Sequence, residues 1–216
     1  MSKLPITNKK SGEIRMFRCF KFLFVFCAVS LAACAGNPMV TSANQTLSAP
    51  APEKAQIVFM RSSMLGSAIN ASLFEVTDSG NAFIGIMANG TKISHEVEPG
   101  EHTFMVVSEA ADFMRANLEA GKTYYAMVTP RMGAWKARFS FQPIRTGDEG
   151  KFSTESEEFP GWVAGTKLVE NSAQSLLWAE NQATSVNKKK EAYYTKWQAK
   201  DQEEIARQTL NATDGI

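Results

Sequence analysis

Between residues 55 and 145, apolar and polar side chains alternate in short runs that are separated by turn residues. A period of two is typical of a β-strand with one buried face. This pattern predicts seven strands, over residues 56–61, 69–76, 82–88, 92–97, 102–107, 123–129 and 135–141. Seven or eight short strands at this spacing favour an antiparallel β-sandwich or a small barrel.

Three pairs of turn residues separate these predicted strands. Asn89-Gly90 predicts a tight hairpin between residues 82–88 and 92–97, because both central residues of a type I′ turn need a positive φ. Pro99-Gly100 and Ala120-Gly121 predict two further turns.

Beyond residue 145 the pattern changes to a loop and then to helical spacing. Residues 146–165 are rich in acidic residues, Gly and Pro and predict a loop. Residues 166–182 have apolar positions at helical spacing, and Ser185 is a candidate N-cap for a second helix from Val186 toward Leu210. The second helix has only a thin apolar stripe, so we expect a helical segment over 166–212 whose last helix projects or packs loosely.

The first 34 residues have the organisation of a secretory signal. Arg15, Arg18 and Lys21 precede an uninterrupted apolar run over residues 22–29, and small residues follow. The apolar run is too short to span a bilayer. Translation could start at Met1 or at an internal Met16. Residues 35–54 are rich in Ala, Ser, Thr, Asn and Pro and predict a flexible tether.

The end of this leader, Leu31-Ala32-Ala33-Cys34, resembles the bacterial lipobox. The resemblance implies cleavage between Ala33 and Cys34, a signal peptide over residues 1–33 and a diacylglyceryl thioether on Cys34. The thiol is the nucleophile that such a bond requires. The alternative is an ordinary secretory signal in which Cys34 has no special role. Ala35 is not the Asp that favours inner-membrane retention in this class, so the resemblance favours the outer membrane.

Composition narrows the chemistry of the remaining 183 residues. Removing the leader takes away six of the 23 Lys/Arg and one of the 22 Asp/Glu, which leaves a net charge of −4. A nucleic-acid binder would have a basic excess, so no nucleic-acid partner is expected. Cys19 and Cys27 leave with the leader, and Cys34 would be modified. The folded part would therefore have neither a disulfide nor a thiol for catalysis or metal binding.

A second resemblance rests on the run Val97-Glu98-Pro99-Gly100-Glu101-His102-Thr103-Phe104, followed by Leu118-Glu119-Ala120-Gly121-Lys122-Thr123-Tyr124-Tyr125. These motifs resemble PEGA-like domains and a related bacterial lipoprotein domain of unknown function. The resemblance covers residues 55–145. It implies a prealbumin-like β-sandwich without a catalytic site, and the motifs bear on fold more than on function.

The two histidines are the first candidates for a chemical site. His95 and His102 lie near Glu96, Glu98 and Glu101, and such a cluster could hold a divalent metal. A metal needs three or four convergent ligands, which proximity in sequence does not provide. No G-x-S-x-G elbow is present. We therefore expect no enzyme activity, no metal and no cofactor.

Aromatic residues are the remaining candidates. One set, on adjacent predicted strands, could line a pocket for a lipid or a sugar: Tyr124, Tyr125, Trp135 and Phe139. Another set, on the last predicted helix, could form a partner surface: Tyr193, Tyr194 and Trp197. At these spacings both sets are also compatible with packing in the core.

Together these patterns predict a mainly β, membrane-anchored, non-enzymatic envelope lipoprotein. Its β-sandwich and helical tail would bind a protein or an envelope polymer. A small-ligand carrier that uses the aromatic strands is the alternative.

Overall fold

The computed structural model of the chain describes residues 37–131 and 138–216, and most of them lie in strands and helices. We number the elements in chain order. The strands are β1 (Val40–Thr41), β2 (Ala55–Arg61), β3 (Ala71–Thr77), β4 (Gly80–Met87), β5 (Thr91–Val97), β6 (Gly100–Val107), β7 (Ala111–Leu118), β8 (Thr123–Arg131), β9 (Arg138–Pro143), β10 (Lys167–Glu170) and β11 (Thr209–Leu210). The helices are α1 (Phe159–Gly165), α2 (Ala173–Gln198) and α3 (Gln202–Arg207), and a 3₁₀ turn follows at Ala212–Asp214.

The strands form two sheets that pack face to face. One sheet has the order β1-β10-β5-β2-β8-β9 and the other has the order β11-β7-β6-β3-β4. The prediction of a mainly β sandwich followed by a helix is confirmed. The sheets are mixed rather than wholly antiparallel, because β10 with β5, β2 with β8 and β11 with β7 pair in parallel. Parallel neighbours need crossover connections, which a pattern of local alternation cannot reveal.

The main core lies between the sheets. The ring of Phe59 on β2 contacts Phe104 of the other sheet at a centroid distance of 5.3 Å and Phe141 of its own sheet at 5.6 Å. Every residue of β2 is buried, because its outer face is covered as well. Phe159 and Trp162 of α1 pack on that outer face, and α2 covers the outer face of the second sheet.

The Asn89-Gly90 turn does not form the predicted hairpin. It leads from β4 in one sheet to β5 in the other. Gly90 has a φ of +73°, while no non-glycine residue of the described ranges has a positive φ, so the type I′ geometry is absent. The side-chain oxygen of Asn89 instead accepts a hydrogen bond of 2.8 Å from the backbone of Ser63.

The C-terminal segment belongs to the sandwich and does not project from it. A single helix, α2, runs through Ser185, and its N-cap is Ser172, whose side chain accepts hydrogen bonds from two backbone N–H groups. Val186 and Trp197 are buried against the second sheet. The predicted break at Ser185 and the loosely packed last helix are therefore wrong. A thin apolar stripe is enough when a sheet face covers it.

The prediction of a flexible tether is wrong for residues 37–54. Met39 is only 9% exposed and packs in the main core. Strand β1 pairs with β10, and the backbone N–H of Ser42 donates to the carbonyl of Leu168 at 2.9 Å. Pairing with an edge strand and one buried methionine fix a segment that has no apolar period of its own.

The sandwich has two ends that differ in composition. At the end we call the loop end, residues 62–70 connect β2 to β3, close to the end of β4 at Met87. At the opposite end, which we call the histidine end, residues 98–99 connect β5 to β6 and residues 78–79 connect β3 to β4.

Candidate functional site

The aromatic residues of the predicted ligand pocket do not converge. Tyr124 is fully buried, and its hydroxyl accepts from the backbone of Glu119 at 2.9 Å and donates to the carbonyl of Ala212 at 3.1 Å. Tyr125 faces the opposite side of the sheet and packs on Phe159. Successive residues of a strand point to opposite faces, so these two tyrosines cannot line one cavity.

Phe139 is also part of the packed core, where it lies under the guanidinium of Arg61 at 4.4 Å. Trp135 lies outside the described residues. Tyr124, Tyr125 and Phe139 therefore do not form the predicted pocket, because their rings fill space that a ligand would need.

The aromatic residues of α2 pack against the sandwich. Trp197 is 3% exposed, and Tyr194 and Trp197 both contact the ring of Phe113 on β7, at centroid distances of 4.9 and 5.6 Å. Tyr193 is half-buried in the same cluster. Of the two alternatives that the sequence left open, packing on the sandwich is the one observed, and Trp197 is not available to a partner.

A cluster of ionisable side chains from both sheets lies near the histidine end. Glu75 on β3 lies between His102 on β6 of the same sheet and His95 on β5 of the other sheet. The Glu75 Oε1 to His102 Nδ1 distance is 2.6 Å, and the Glu75 Oε2 to His95 Nε2 distance is 3.6 Å. The ring of Phe104 stacks on His102. The second distance is too long for a hydrogen bond.

The contacts of His102 indicate that its ring carries both protons. Its Nε2 lies 2.8 Å from the carbonyl oxygen of Glu98 and its Nδ1 faces the Glu75 carboxylate. Both neighbours are acceptors, so both ring nitrogens donate. The hydrogen bond with Glu75 raises the pKa of His102, and the same bond, followed by the contact with His95, lowers the pKa of Glu75 to about 2.

This cluster does not have the character of a metal centre. Both nitrogens of His102 are engaged as donors, which leaves no lone pair for a cation. Within residues 37–131 and 138–216, no group of three or more His, Cys, Asp or Glu side chains is arranged to hold a metal ion. The cluster is an ion pair between Glu75 and His102 of one sheet, with His95 of the other sheet beside it.

Arg61, at the end of β2, organises the loop end. Its side chain is fully buried and donates to three backbone carbonyls, those of Ile69 at 2.6 Å, Gly66 at 2.6 Å and Met87 at 3.0 Å. Burial lowers the pKa of Arg61 to about 10, so the guanidinium keeps its charge at neutral pH. No ion pair found among the described residues includes Arg61. Backbone carbonyls and the Phe139 ring stabilise this charge.

The loop that Arg61 holds presents apolar side chains to solvent. Met64 is 93% exposed, Leu65 is 52% exposed and Ile69 is 42% exposed. Ile69 also lines an apolar groove of about 220 Å³ between α2 and the second sheet. The other apolar residues of this groove are Ala71, Ile86, Val107, Trp178 and Val186. Sequence analysis missed this surface, although a Met-Leu pair between two serines and a glycine was a usable signal.

Cys34 and Ala33 lie outside the described residues, so lipidation and cleavage stay predictions. No protein-family model matches the chain, and the search of curated proteins also finds no match. The resemblance to PEGA-like domains likewise stays a prediction. In the part of the chain that the structure describes, no helix is long and apolar enough to cross a membrane.

Proposed function

We propose that this protein is a non-enzymatic lipoprotein of the bacterial envelope that holds a β-sandwich binding module at the membrane. The observation that carries the proposal is Leu31-Ala32-Ala33-Cys34, placed directly after a basic and then apolar leader. The packing of Asn37 supports it, because this residue follows the cysteine by three positions and its side chain donates to the carbonyl of Ile86 at 3.2 Å. A single acyl chain anchors only marginally, whereas two or three anchor durably.

Metabolic labelling tests the anchor. With radioactive palmitate, the intact chain should incorporate label and sediment with membranes. The Cys34→Ala variant should incorporate none and should leave the membrane pellet. Cys27→Ala is the matched control, because Cys27 would be removed with the leader, and it should behave as the unmodified chain. Label in Cys34→Ala would contradict the proposal.

We propose the outer membrane as the location, since Ala35 follows the modified cysteine. Density-gradient separation of the two membranes should place the protein in the outer-membrane fraction. An Ala35→Asp variant should move to the inner-membrane fraction. Equal distributions of the two proteins would show that residue 35 does not determine the location.

The binding partner is proposed to be a protein or an envelope polymer. Exposed acidic residues at the histidine end support a charged contact: Glu53, Asp78, Glu96, Glu98, Glu101 and Glu119. The two lysines beside them, Lys54 and Lys122, are ion-paired with Glu98 and Glu119. A photo-crosslinking residue at Glu101 should capture a specific species in intact cells. The same residue at Leu177, which is exposed on α2, is the control. An identical set of adducts at both positions would contradict a specific surface.

A further inference from the structure

The apolar tip of the loop end is the most exposed apolar feature among the described residues. Met64 and Leu65 stand next to each other at 93% and 52% exposure. Keeping large apolar side chains in water is unfavourable, so adjacent exposed ones point to an apolar contact.

This tip is held in place rather than free to collapse. Three hydrogen bonds from Arg61 fix the loop carbonyls of Gly66 and Ile69 and the β4 carbonyl of Met87. Gly66 has a φ of +65°, and a Cβ at this position would contact Pro130 and Phe139. The buried arginine and the glycine therefore keep the Met64-Leu65 tip pointing away from the core.

Asn37, the first residue that the structure describes, lies near the same end. The side chain of Asn37 donates to the carbonyl of Ile86 at 3.2 Å, and Ile86 directly precedes the Met87 carbonyl that Arg61 binds. Only Ala35 and Gly36 separate Asn37 from Cys34. A lipid on Cys34 would therefore be attached three residues before this point of the chain.

Charge at the loop end fits an anionic surface. Arg131 and Arg138 are exposed at the adjoining ends of β8 and β9, and Lys167 is exposed where β10 pairs with the start of β5. Asp112 pairs with Arg131 at 3.6 Å, and Glu109 is an exposed acidic residue at this end. The clustered glutamates lie at the opposite end of the sandwich. Basic residues beside an apolar tip favour anionic lipid headgroups.

We propose that the loop end lies on the bilayer, with Met64 and Leu65 inserted at the boundary between headgroups and acyl chains. This inference rests on the proposed lipidation of Cys34, which would bring the domain to the membrane. The short covalent link then confines the domain, and the loop determines which face meets the lipid. Insertion orients the histidine end away from the bilayer, where a partner can reach it.

Quenching by spin-labelled lipid tests the proposal on the full acylated protein. The thiol of Cys34 would be consumed by the lipid, so Leu65→Cys provides a single site for an environment-sensitive fluorophore. The labelled protein is reconstituted in vesicles of phosphatidylethanolamine and phosphatidylglycerol, with or without doxyl-labelled lipid. Insertion by 5–10 Å should reduce emission about twofold or more when the quencher is present. Ser79→Cys, at the exposed turn of the histidine end, is the matched control and should not be quenched.

Met64→Cys provides a second label site if Leu65→Cys fails to fold, because Met64 is almost fully exposed. Absence of quenching at the loop, or equal quenching at Ser79, in a protein that incorporates palmitate would overturn this inference and leave the lipid anchor intact. Absence of palmitate would overturn the proposed function itself, and this inference with it.

Discussion

The two ends of the sandwich each contain a charged group that is wholly or largely buried, but its partners differ. At the loop end, Arg61 donates to backbone carbonyls and lies over Phe139. At the histidine end, Glu75 is bound by His102 and approached by His95. Backbone carbonyls do not titrate, whereas an imidazole does. The loop end should therefore keep its geometry over a wide pH range, while the histidine end should respond to pH.

The two ends also differ in how a buried side chain holds the structure around it. Arg61 joins three carbonyls from two separate segments, so one side chain holds a whole loop. Glu75 binds one side chain of its own sheet and lies 3.6 Å from one of the other sheet. Losing Arg61 removes three hydrogen bonds to carbonyls, of which the one to Met87 is buried, and losing Glu75 leaves Nδ1 of His102 without an acceptor. The first loss should cost more.

The largest expected effect is that of Arg61→Met. Methionine fills much of the space but donates no hydrogen bond, so the carbonyls of Gly66, Ile69 and Met87 lose a buried donor. We expect a loss of about 3 kcal/mol in the free energy of unfolding, measured by urea denaturation. Arg138→Met, at an exposed arginine, should change this free energy by less than about 0.5 kcal/mol. Similar losses in both variants would show that the carbonyl contacts do not matter.

Glu75→Gln should have the next largest effect, about 2 kcal/mol near pH 6, because it removes the charged partner of His102. The Glu75 contribution is present above the ordinary glutamate value of 4.5 and is lost as the pH falls toward about 2. The His102 contribution is present below its ordinary value of 6.5 and is lost as the pH rises through its raised pKa. The pair therefore stabilises most between about pH 4.5 and 6.5.

Urea denaturation at several pH values from 4 to 9 measures this dependence. The unmodified protein should lose stability above pH 7, and Glu75→Gln should lose less over the same range. Glu101→Gln, an exposed glutamate at the same end, is the control and should keep the full pH dependence. If the free energy of unfolding depended on pH in the same way in Glu75→Gln and in the unmodified protein, the expected pH response of the histidine end would be wrong.

The smallest expected effect is that of Gly66→Ala, at about 1 kcal/mol, because Gly66 has a φ of +65° that an L-alanine adopts at a cost. The variant should also weaken quenching at a labelled Leu65→Cys, since the loop would shift. Gly161→Ala, in α1, has open space at its Cβ position and should be neutral or slightly stabilising. Thermal unfolding compares the two. A neutral Gly66→Ala would show that the loop tolerates another backbone path.

Much of the fold could be predicted because alternation records which face of a strand is buried. Each of the seven predicted strands overlaps a strand of the structure, although residues 135–137 lie outside the described residues. Four strands were missed: the short strands β1 and β11, β10 in a segment predicted to be helical, and β7. The first four residues of β7 are buried on both faces, since α2 covers the outer one. Asp112 is among them, held by Gln208 at 3.0 Å and by Arg131. Because a polar residue stands among apolar ones and all four side chains are buried, this segment shows no alternation of apolar and polar positions.

The sites were harder to predict. The sequence indicated His95 and His102 together with the neighbouring glutamates, but the carboxylate that contacts both histidines is that of Glu75. Glu75 lies 20 residues before His95 and approaches it only across the sandwich. Arg61 appeared as the polar end of a strand. Its burial depends on carbonyls from a loop and from β4, and no local pattern records such contacts.

The sequence alone determined the mainly β class and the positions of seven strands, because period-two alternation is local. It also determined the form of the leader and the prediction at Cys34, because a lipobox is read from adjacent residues. Only the tertiary structure decided which sheet each strand joins, that Asn89-Gly90 crosses between sheets, and that residues 37–54 are packed. It also paired Glu75 with His102 and buried Arg61. Those outcomes depend on contacts between residues far apart in the chain, and a local pattern of residue types does not record such contacts.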